Sequence, residues 1–459
     1  MEQSVIHRRI TVAAGRFAPG QLGELTQQVP FELVDAVLAQ TGRTQARLRD
    51  LPARVVVYLL LAGCLFAELG YVQVWQRLTA GLAGLQLATP TASALTHARR
   101  RLGPAPLRAL FDLLRGPAPV AAPGGVRVGG LLVCAIDGTT LSVADTPANL
   151  AAYAKQPGHH GGSGYPLLRL VALVACGTRS LIDAAYEPTS NGETAYTDRL
   201  TGSINAGMLV LCDRNLTTAA LTRRIAATDG HLLGRCKHGR KLPLLGHLHD
   251  GSWRSLLGGV QVRVIDAEIT LATRAGRARG SYRLATTLLD APRWPAATLV
   301  ALYHQRWEIE TAYLELKSSI LGGRVLRART PQGIDQEIHA LLVCYQLLRL
   351  AMADATNTQP GVDPDRASVT IALNSARDQL IQAAGVIAGA SIDLVGKIGR
   401  AVLDNLLADR RLRVSPRVVK RAISKYNARG PNINRTSYKA TLSIDILTPP
   451  APLTPRAGP

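Results

Sequence analysis

The chain has 459 residues, with 53 Lys and Arg against 32 Asp and Glu, which leaves a net charge of +21. Hydrophobic residues make up 47% of it, and this share excludes a disordered or low-complexity protein. Such an excess of positive charge predicts a polyanionic partner, and nucleic acid is the usual one. The length predicts two to four domains, because single cores stop growing at about 250–300 residues.

The chain shows no targeting or membrane-spanning segment in its sequence pattern. The first 20 residues lack the apolar core of a signal peptide. The longest apolar run, residues 55–67, has 13 residues, whereas a helix that spans a bilayer needs about 20. The six cysteines form no C-x-x-C pair, which favours reduced, buried thiols over disulfides or a zinc ribbon. We therefore expect a cytoplasmic protein.

Residues 1–118 are predicted to form a helical N-terminal domain. Apolar residues recur there at helical spacing and are separated by Pro and Gly, in the segments 30–42, 51–70, 71–82 and 93–103. The stretch 90–115 is predicted to be two helices joined at Gly103-Pro104, with Arg99, Arg100 and Arg101 at the end of the first. This pattern is compatible with a helix-turn-helix that binds DNA, and equally with a solvated basic face.

The pattern changes after a Pro/Gly-rich linker at 116–126, and a second domain is predicted from 127 to 330. Short apolar strands and helices alternate in the order β-β-β-α-β-α-β, at 131–137, 167–176, 180–186, 193–207, 208–213, 217–228 and 231–237. This order predicts a mixed α/β sheet. Turn-rich alternation at about 238–290 predicts a β-rich insertion.

Two helices and a basic tail are predicted for the rest of the chain. The helices are expected at 296–321 and 331–355. Residues 397–439 contain twelve Lys and Arg and two Asp, and a Pro-rich tail follows them. We therefore predict that 331–459 is a helical, basic C-terminal region for DNA binding or assembly.

Two aspartates follow buried strands of the predicted sheet. Asp137 ends the apolar run 131–136, and Asp213 ends the run 208–212. Ligands gather at the carboxyl ends of strands in open α/β sheets, so the two acids are expected to meet there. Taken alone, each aspartate also fits a purely structural role, in which it forms a turn or caps a helix.

The predicted helix 296–321 carries an unusual polar stripe. At 100° per residue, four side chains fall within one arc of about 60°: Tyr303, Arg306, Glu310 and Lys317. The same projection assigns Glu308 and Glu315 to the solvent side. The alternative interpretation is an ordinary ion pair between Arg306 and Glu310 on a surface helix, which contributes about 0.2–0.5 kcal/mol. This alternative does not explain why Tyr303 and Lys317 lie on the same face.

Carboxylates from two strand ends and one helix would suit hard divalent cations. Mg²⁺ prefers oxygen ligands and keeps water and phosphate oxygens in its shell. Two such ions about 3.5–4 Å apart support the cleavage or transfer of phosphodiesters. Hydroxyl, guanidinium and ammonium groups beside them would bind DNA phosphates.

The spacing Tyr303-x2-Arg306-x3-Glu310-x6-Lys317 resembles the Y-R-E-K signature of the DDE transposases of the insertion-sequence-four family. The blocks AIDGTTLSVAD and GMLVLCDRN resemble those that carry this family's first and second catalytic Asp, and PGQLGELTQQVPFELVDAVLAQTG resembles its N-terminal region. The resemblance implies a ribonuclease-H-like catalytic core that is interrupted by a β-rich insertion. It further implies that Asp137, Asp213 and Glu310 bind two Mg²⁺ ions, for which Mn²⁺ is expected to substitute.

The same resemblance implies cut-and-paste transposition by a homodimer assembled on paired DNA ends. Tyr303, Arg306 and Lys317 would position the DNA end. Some family members stack a flipped base on an aromatic side chain, and Trp253 and Trp294 are the candidates for this in the sequence. Two alternatives remain: a catalytically silent relative that acts as a repressor or architectural protein, and a stand-alone nuclease of the same fold.

Overall fold

The computed structural model describes most of the chain. The described residues are 22–45, 49–79, 87–120, 126–156, 164–189, 193–237, 239–274, 276–383, 396–408, 413–414, 438–439 and 441–448. The N-terminal segment 1–21, for which no signal peptide was predicted, lies outside them. So do part of the linker, the larger part of the basic segment 397–439 and the Pro-rich tail.

The predicted N-terminal helices are confirmed. They are α1 (Phe31–Gln40), α2 (Ala53–Leu65), α3 (Tyr71–Thr79), α4 (Ala92–Leu102) and α5 (Ala105–Leu114). The Thr91 hydroxyl accepts a hydrogen bond from the amide of Ala94 at 3.2 Å and so caps the start of α4. Gly103 ends the helix at a φ of +68°. Pro104 precedes α5 as its N-cap residue, and Pro106 lies in the first turn of α5, where a proline ring is tolerated.

The strands of the predicted α/β domain follow the predicted order, and three further strands lie near the C-terminus. They are β1 (Arg127–Val128), β2 (Leu131–Ser142), β3 (Leu167–Ala175), β4 (Leu181–Pro188), β5 (Met208–Cys212), β6 (His231–Arg235), β7 (Gly246–His247), β8 (Trp253–Leu257), β9 (Val260–Thr273), β10 (Gly276–Thr286), β11 (Arg413–Val414), β12 (Tyr438–Lys439) and β13 (Thr441–Leu447). The helices after α5 are α6 (Pro147–Ala152), α7 (Glu193–Leu200), α8 (Ala219–Ala227), α9 (Ala296–Tyr303), α10 (Trp307–Leu314), α11 (Pro331–Asn357), α12 (Val369–Ala383) and α13 (Lys397–Asp404).

Eleven of the described strands form one mixed sheet. Its main path runs β4-β3-β2-β5-β6-β10-β9-β8-β7, with β1 beside β2 and β13 beside β9. The first three strands of this path are antiparallel, whereas β5 pairs parallel with β2 and β6 pairs parallel with β5. The stretch predicted as a β-rich insertion does contain strands β7 to β10, and it extends the central sheet through the pairing of β10 with β6.

The central strands are apolar throughout because both faces of the sheet are covered. On β2, Val133 and Ala135 pack into a large core with the N-terminal helices and α11. Leu132, Cys134 and Ile136 point to the opposite face, where they pack against α7 and α8. The N-terminal helices therefore share one continuous core with the sheet and with α11.

One strand boundary differs from the prediction. The sequence predicts that β2 ends at Asp137, but the strand continues to Ser142. Pairing with β5 stops at Ile136, whereas pairing with β3 continues through Ser142. Asp137 is therefore held by a neighbouring strand on one side only, which leaves its other side open to the end of β5.

Helix α11 is long and apolar enough to span a membrane, but 89% of its most apolar window is buried inside the protein. Gln346 on this helix donates hydrogen bonds to the carbonyl oxygens of Leu114 at 3.1 Å and Gly116 at 2.9 Å. A helix surrounded by the rest of the fold in this way is a core helix. It links the N-terminal helices to the sheet.

Candidate active site

The two aspartates lie side by side as predicted, but only Asp213 follows the end of a strand, because Asp137 lies within β2 at the point where its pairing with β5 stops. In the parallel register Ile136 lies beside Cys212, so the next residues, Asp137 on β2 and Asp213 after β5, come together at the same edge. The carboxylate of Asp213 accepts hydrogen bonds from the amides of Asn215 at 2.9 Å and Leu216 at 2.7 Å. These contacts form an Asx turn, so Asp213 has the turn-forming role considered for it, whereas Thr218 caps the following helix α8.

The helix predicted at 296–321 exists as one helical path with two irregular turns. A 3-10 turn, His304–Arg306, joins α9 to α10, and a π-helical segment, Glu315–Ile320, follows α10. The amide of Leu321 reaches the carbonyl of Leu316 five residues back, at 3.1 Å. Such π-helical turns concentrate at functional sites. A projection at a constant 100° is therefore only approximate here.

Arg306 brings the first aspartate and the helical glutamate together. Its guanidinium nitrogens lie 3.1 Å from Asp137 Oδ2 and 2.8 Å from Glu310 Oε1. Only 13% of the Arg306 side chain is exposed. Burial works against the charge, but Tyr303, Asp137 and Glu310 outweigh it, so the pKa of Arg306 is raised. The guanidinium therefore stays positive between two carboxylates that come from distant parts of the chain.

The other two residues of the stripe also face the strand ends. The Tyr303 hydroxyl donates to the carbonyl of Cys212 at 3.0 Å, immediately before Asp213. Burial raises the pKa of Tyr303 well above its usual range, so the hydroxyl remains a donor at neutral pH. Lys317 Nζ donates to the hydroxyl of Thr139 at 3.2 Å, two residues beyond Asp137. Tyr303, Arg306 and Lys317 thus contact the segments of β2 and β5 that carry the two aspartates, and Glu310 is joined to them through Arg306.

Sequence reasoning missed Tyr313, which ties the helix to the first aspartate. Its hydroxyl donates to the carbonyl of Asp137 at 2.6 Å and accepts from the amide of Ala172 at 3.0 Å. The ring is 6% exposed. On the helical projection Tyr313 falls at about 280°, next to the polar stripe. This position is the feature of the sequence that could have identified Tyr313 as a residue of the site.

The assignment of Glu308 and Glu315 to the solvent side was wrong. Glu315 is only 8% exposed, and both carboxylates bind the buried Arg179, at 2.8 Å for Glu308 and 2.7 Å for Glu315. Arg349 and the Tyr345 hydroxyl also bind Glu315. This buried ion-pair network lies on the side of the helix away from the aspartates and ties that side to Arg179 and α11.

Neither tryptophan proposed for base stacking offers an exposed ring. Trp253 is 4% exposed and Trp294 is 6% exposed. The ring of Trp294 packs so closely on Gly129 that a Cβ added there would lie 2.3 Å from it. A base stacks on an accessible aromatic face, so burial argues against both candidates. Trp307, by contrast, is 58% exposed and directly follows Arg306.

The donor set suits a hard divalent cation by its chemistry. Asp137, Asp213 and Glu310 all present carboxylate oxygens, the ligands that hard cations prefer. The positively charged guanidinium of Arg306 lies between Asp137 and Glu310, so these two carboxylates attract positive charge to this place. Within the described part of the chain, no three Asp, Glu, His or Cys side chains converge closely enough to hold one ion. The geometry thus brings the acids to one edge without enclosing a single metal position.

Two protein families match the chain over long ranges. The family described as "Insertion element 4 transposase N-terminal" matches residues 19–112, and the family described as "Transposase DDE domain" matches residues 129–347. The chain is 27% identical over 408 residues to "Transposase InsG for insertion sequence element IS4" of Escherichia coli (strain K12), covering 86% of this chain and 91% of that protein. It is also 26% identical over 189 residues to "Putative transposase InsZ" of the same strain, covering 41% of this chain and 62% of that protein.

A solved structure, the cryo-EM synaptic complex of piggyBac transposase with hairpin DNA, aligns with a TM-score of 0.44 and 11% identity over 84% of each chain. The two family matches together span the N-terminal helices, both aspartates and the helix of Arg306 and Glu310. The proteins of the second family use divalent metal ions to cut and rejoin DNA. The chain therefore belongs to the IS4 family of DDE transposases and is an enzyme of insertion-sequence DNA transposition.

Proposed function

We propose that Asp137, Asp213 and Glu310 are the catalytic acids and that they hold two Mg²⁺ ions, for which Mn²⁺ substitutes. The observation that carries this proposal is the Arg306 bridge between Asp137 and Glu310 at the edge where Asp213 also leaves the sheet. Bound divalent ions would activate the attacking oxygen and stabilise the leaving oxygen of a phosphodiester. The enzyme would cleave at the terminal inverted repeats of its element and join the freed ends to target DNA.

The basic groups of the helix are proposed to orient the DNA end. Arg306 and Lys317 present cationic nitrogens beside Asp137 and Thr139, so a backbone phosphate would be attracted to the same edge as the acids. Tyr303 was predicted to position the DNA end as well. Its hydroxyl is engaged with Cys212, and we propose that it acts on the DNA through the position of the Asp213 turn.

We propose Trp307 as the aromatic side chain that contacts a base near the cleavage point. Its ring is exposed, and the Arg306 guanidinium lies 5.7 Å from the ring centroid. Leu314, two turns further along α10, is 60% exposed. These two apolar side chains stand beside the acids on the open side of the helix, where an unstacked base would gain contact area.

The proposal includes the organisation of the whole chain. The order β4-β3-β2-β5-β6, with three antiparallel strands and then two parallel ones, supports a ribonuclease-H-like core within 127–330. Residues 1–118 and 331–459 are proposed to bind DNA and to support assembly. We propose a homodimer on paired DNA ends and a cytoplasmic location, since the substrate is DNA.

Cleavage of the element's own ends tests this proposal. The purified chain is incubated with a duplex that contains one end of its element and the flanking DNA, with Mg²⁺ or EDTA. We expect breaks at the element boundary that need Mg²⁺ and that disappear in an Asp137→Ala variant, while Asp137→Ala still binds the duplex. Breaks without joining to target DNA would favour a stand-alone nuclease, and specific binding without breaks would overturn the assignment of the acids.

A further inference from the structure

A basic pocket lies next to Asp213 at the junction of the central sheet and the insertion. Its volume is about 280 Å³, and it is open to solvent. Seven residues line it: Arg214, Asn215, Arg235, Cys236, Lys237, Ser281 and Arg283. The turn after Asp213, the end of β6 and strand β10 each supply part of this lining. The pocket therefore depends on the docking of the insertion against the catalytic strands.

The strand register sets the distance between the pocket and the proposed catalytic acids. Cys212 and Gly234 are partners in the parallel pair β5–β6, so the next residues, Asp213 and Arg235, leave neighbouring strands side by side. Neighbouring strands are about 4.7–4.9 Å apart. Arg214 follows Asp213 directly. The pocket thus begins one strand away from the second aspartate.

The lining carries four positive side chains, of which only Arg283 has a carboxylate partner among the described residues. Asp266 binds Arg283 Nε at 2.7 Å and Nη2 at 3.1 Å. Arg214 and Lys237 are exposed, and no described acid forms an ion pair with either of them or with Arg235. An anion that entered the pocket would therefore meet several unneutralised charges.

Two of the arginines are held in position before any ligand arrives. The Arg235 guanidinium lies 4.1 Å from the centroid of the Tyr282 ring, and Arg235 Nη2 donates to the carbonyl of Ser281 at 3.3 Å. Asp266 fixes Arg283 through two hydrogen bonds. Side chains fixed in this way lose less conformational entropy when they bind an anion.

The chemistry of the lining favours a phosphate over a base or a nucleoside. Cys236 is the one apolar side chain in the lining, and the Tyr282 ring is covered by Arg235. A base needs an open aromatic or apolar face on which to stack. Guanidinium and ammonium groups instead match the oxygens of a phosphodiester.

We propose that this pocket binds backbone phosphates of the DNA strand that runs past Asp213, one or two nucleotides from the bond that is cut. This inference rests on the proposed catalytic centre, and it adds a phosphate site outside the Tyr303, Arg306, Glu310 and Lys317 stripe. Because the site is built by both the catalytic strands and the insertion, the insertion would contact the DNA beside the acids.

The experiment measures DNA binding without metal, so that it does not depend on cleavage. The probe is a fluorescent duplex with one end of the element and its flanking DNA, in EDTA. Single phosphates around the cleavage point are replaced in turn by neutral methylphosphonates. The full chain is compared with Arg214→Gln and Lys237→Gln. Arg223→Gln is the matched control, because Arg223 is an exposed arginine on α8 in the same part of the chain.

For the wild-type chain we expect one or two adjacent methylphosphonates to weaken binding. Arg214→Gln and Lys237→Gln should each bind the natural duplex about tenfold more weakly, and should be insensitive to those same positions. Each should also lower the slope of log Kd against log salt by about 0.7–0.9. Arg223→Gln should keep the wild-type pattern of sensitivity. All variants should melt at the wild-type temperature, because Arg214 and Lys237 are exposed.

An unchanged methylphosphonate pattern in both pocket variants would overturn the proposal, as would the same loss of affinity in Arg223→Gln. Failure of the wild-type chain to bind the duplex in EDTA would overturn it too. The expected pattern in a chain that makes no break with Mg²⁺ would support the pocket and would overturn the catalytic assignment instead. The two proposals therefore fail in distinguishable ways.

Discussion

Arg306 Nη1 lies 3.1 Å from Asp137 Oδ2, although 169 residues separate the two in the chain. The other terminal nitrogen of Arg306 contacts Glu310 on the same helix. One guanidinium thus compensates two proposed metal ligands before any ion is bound. This contact links the first strand of the catalytic centre to its helix, and it makes Arg306 the most informative residue to replace.

Replacing Arg306 should increase the affinity for a divalent metal ion and decrease the rate of DNA cleavage. In Arg306→Ala, Asp137 and Glu310 lose their shared positive partner, so Mn²⁺ should bind about tenfold more tightly, a gain equivalent to about 1.4 kcal/mol. DNA cleavage should fall by about 10²–10³-fold, because a positioned donor at the reacting phosphate is lost. Calorimetric titration with Mn²⁺ and a cleavage assay measure the two effects. Arg306→Lys is the control that keeps the charge, and wild-type Mn²⁺ affinity in Arg306→Ala would contradict this account.

A methyl group at Gly234 should disturb the turn of Asp213. A Cβ at this position would lie 2.2 Å from Thr217 Oγ1. Thr217 donates to the carbonyl of Asp213 from its amide at 3.0 Å and from its hydroxyl at 2.7 Å. Gly234→Ala should therefore displace Thr217, lower the free energy of unfolding by about 1–3 kcal/mol and reduce cleavage.

Urea unfolding and the cleavage rate test the effect of Gly234→Ala. Gly246→Ala is a suitable control, because a Cβ at Gly246 would meet no atom within 4 Å. Equal behaviour of the two variants would show that Thr217 tolerates the methyl group and that the Asp213 turn is not coupled to it.

The buried arginine behind the catalytic helix should be important for stability. Arg179 is 1% exposed and binds Glu308 and Glu315. Arg179→Met removes the partner of these carboxylates and should lower the free energy of unfolding by about 3–5 kcal/mol, the usual cost of breaking a buried pair. Denaturant unfolding measures the loss.

An exposed ion pair provides the control for Arg179. Arg54 pairs with Asp35, and the side chains are 43% and 44% exposed. Arg54→Met should cost no more than about 1 kcal/mol, since exposed pairs contribute little. A small loss in Arg179→Met would mean that the rotation of the helix is set by apolar packing and not by the buried ion pairs.

Stability should decline at alkaline pH because of the half-buried Tyr71. Burial raises the pKa of Tyr71 to about 12, above the value of about 10 for an unfolded chain. Between these two values the unfolded chain loses a proton that the folded chain keeps, so the free energy of unfolding falls as pH rises. Tyr71→Phe should flatten this fall, which urea unfolding at a series of pH values measures.

The matched control is Tyr165→Phe, since Tyr165 is 39% exposed. It should leave the pH dependence as in the wild-type chain. The Phe ring of Tyr71→Phe keeps its place between the guanidinium groups of Arg99 and Arg327, which lie 4.1 Å and 4.5 Å from the Tyr71 ring centroid. An identical decline in both variants would assign the alkaline effect to other groups.

Much of the fold was predictable because it follows from local patterns. Apolar spacing predicted the helices from α1 to α5 and the strand order of the catalytic half, and the structure confirms them. The continuation of β2 beyond Asp137 was not predictable, because it depends on pairing with β3 and not on apolar residues. The short helix α6 was missed for a related reason, since six residues carry too little periodicity.

The sequence by itself determined the family signature and the polar stripe, because the residues of that stripe lie on one helix and local geometry governs their spacing. Only the tertiary structure decided what each side of this helix meets. Glu308 and Glu315 have a polar pattern that is typical of solvent exposure, yet Arg179 comes from a distant turn to bind them. The burial of Trp253 and Trp294 and the exposure of Trp307 follow from packing between elements far apart in the chain. The basic pocket beside Asp213 likewise requires β6 and β10 to pair. Contacts across such separations depend on register and docking, which no local pattern encodes.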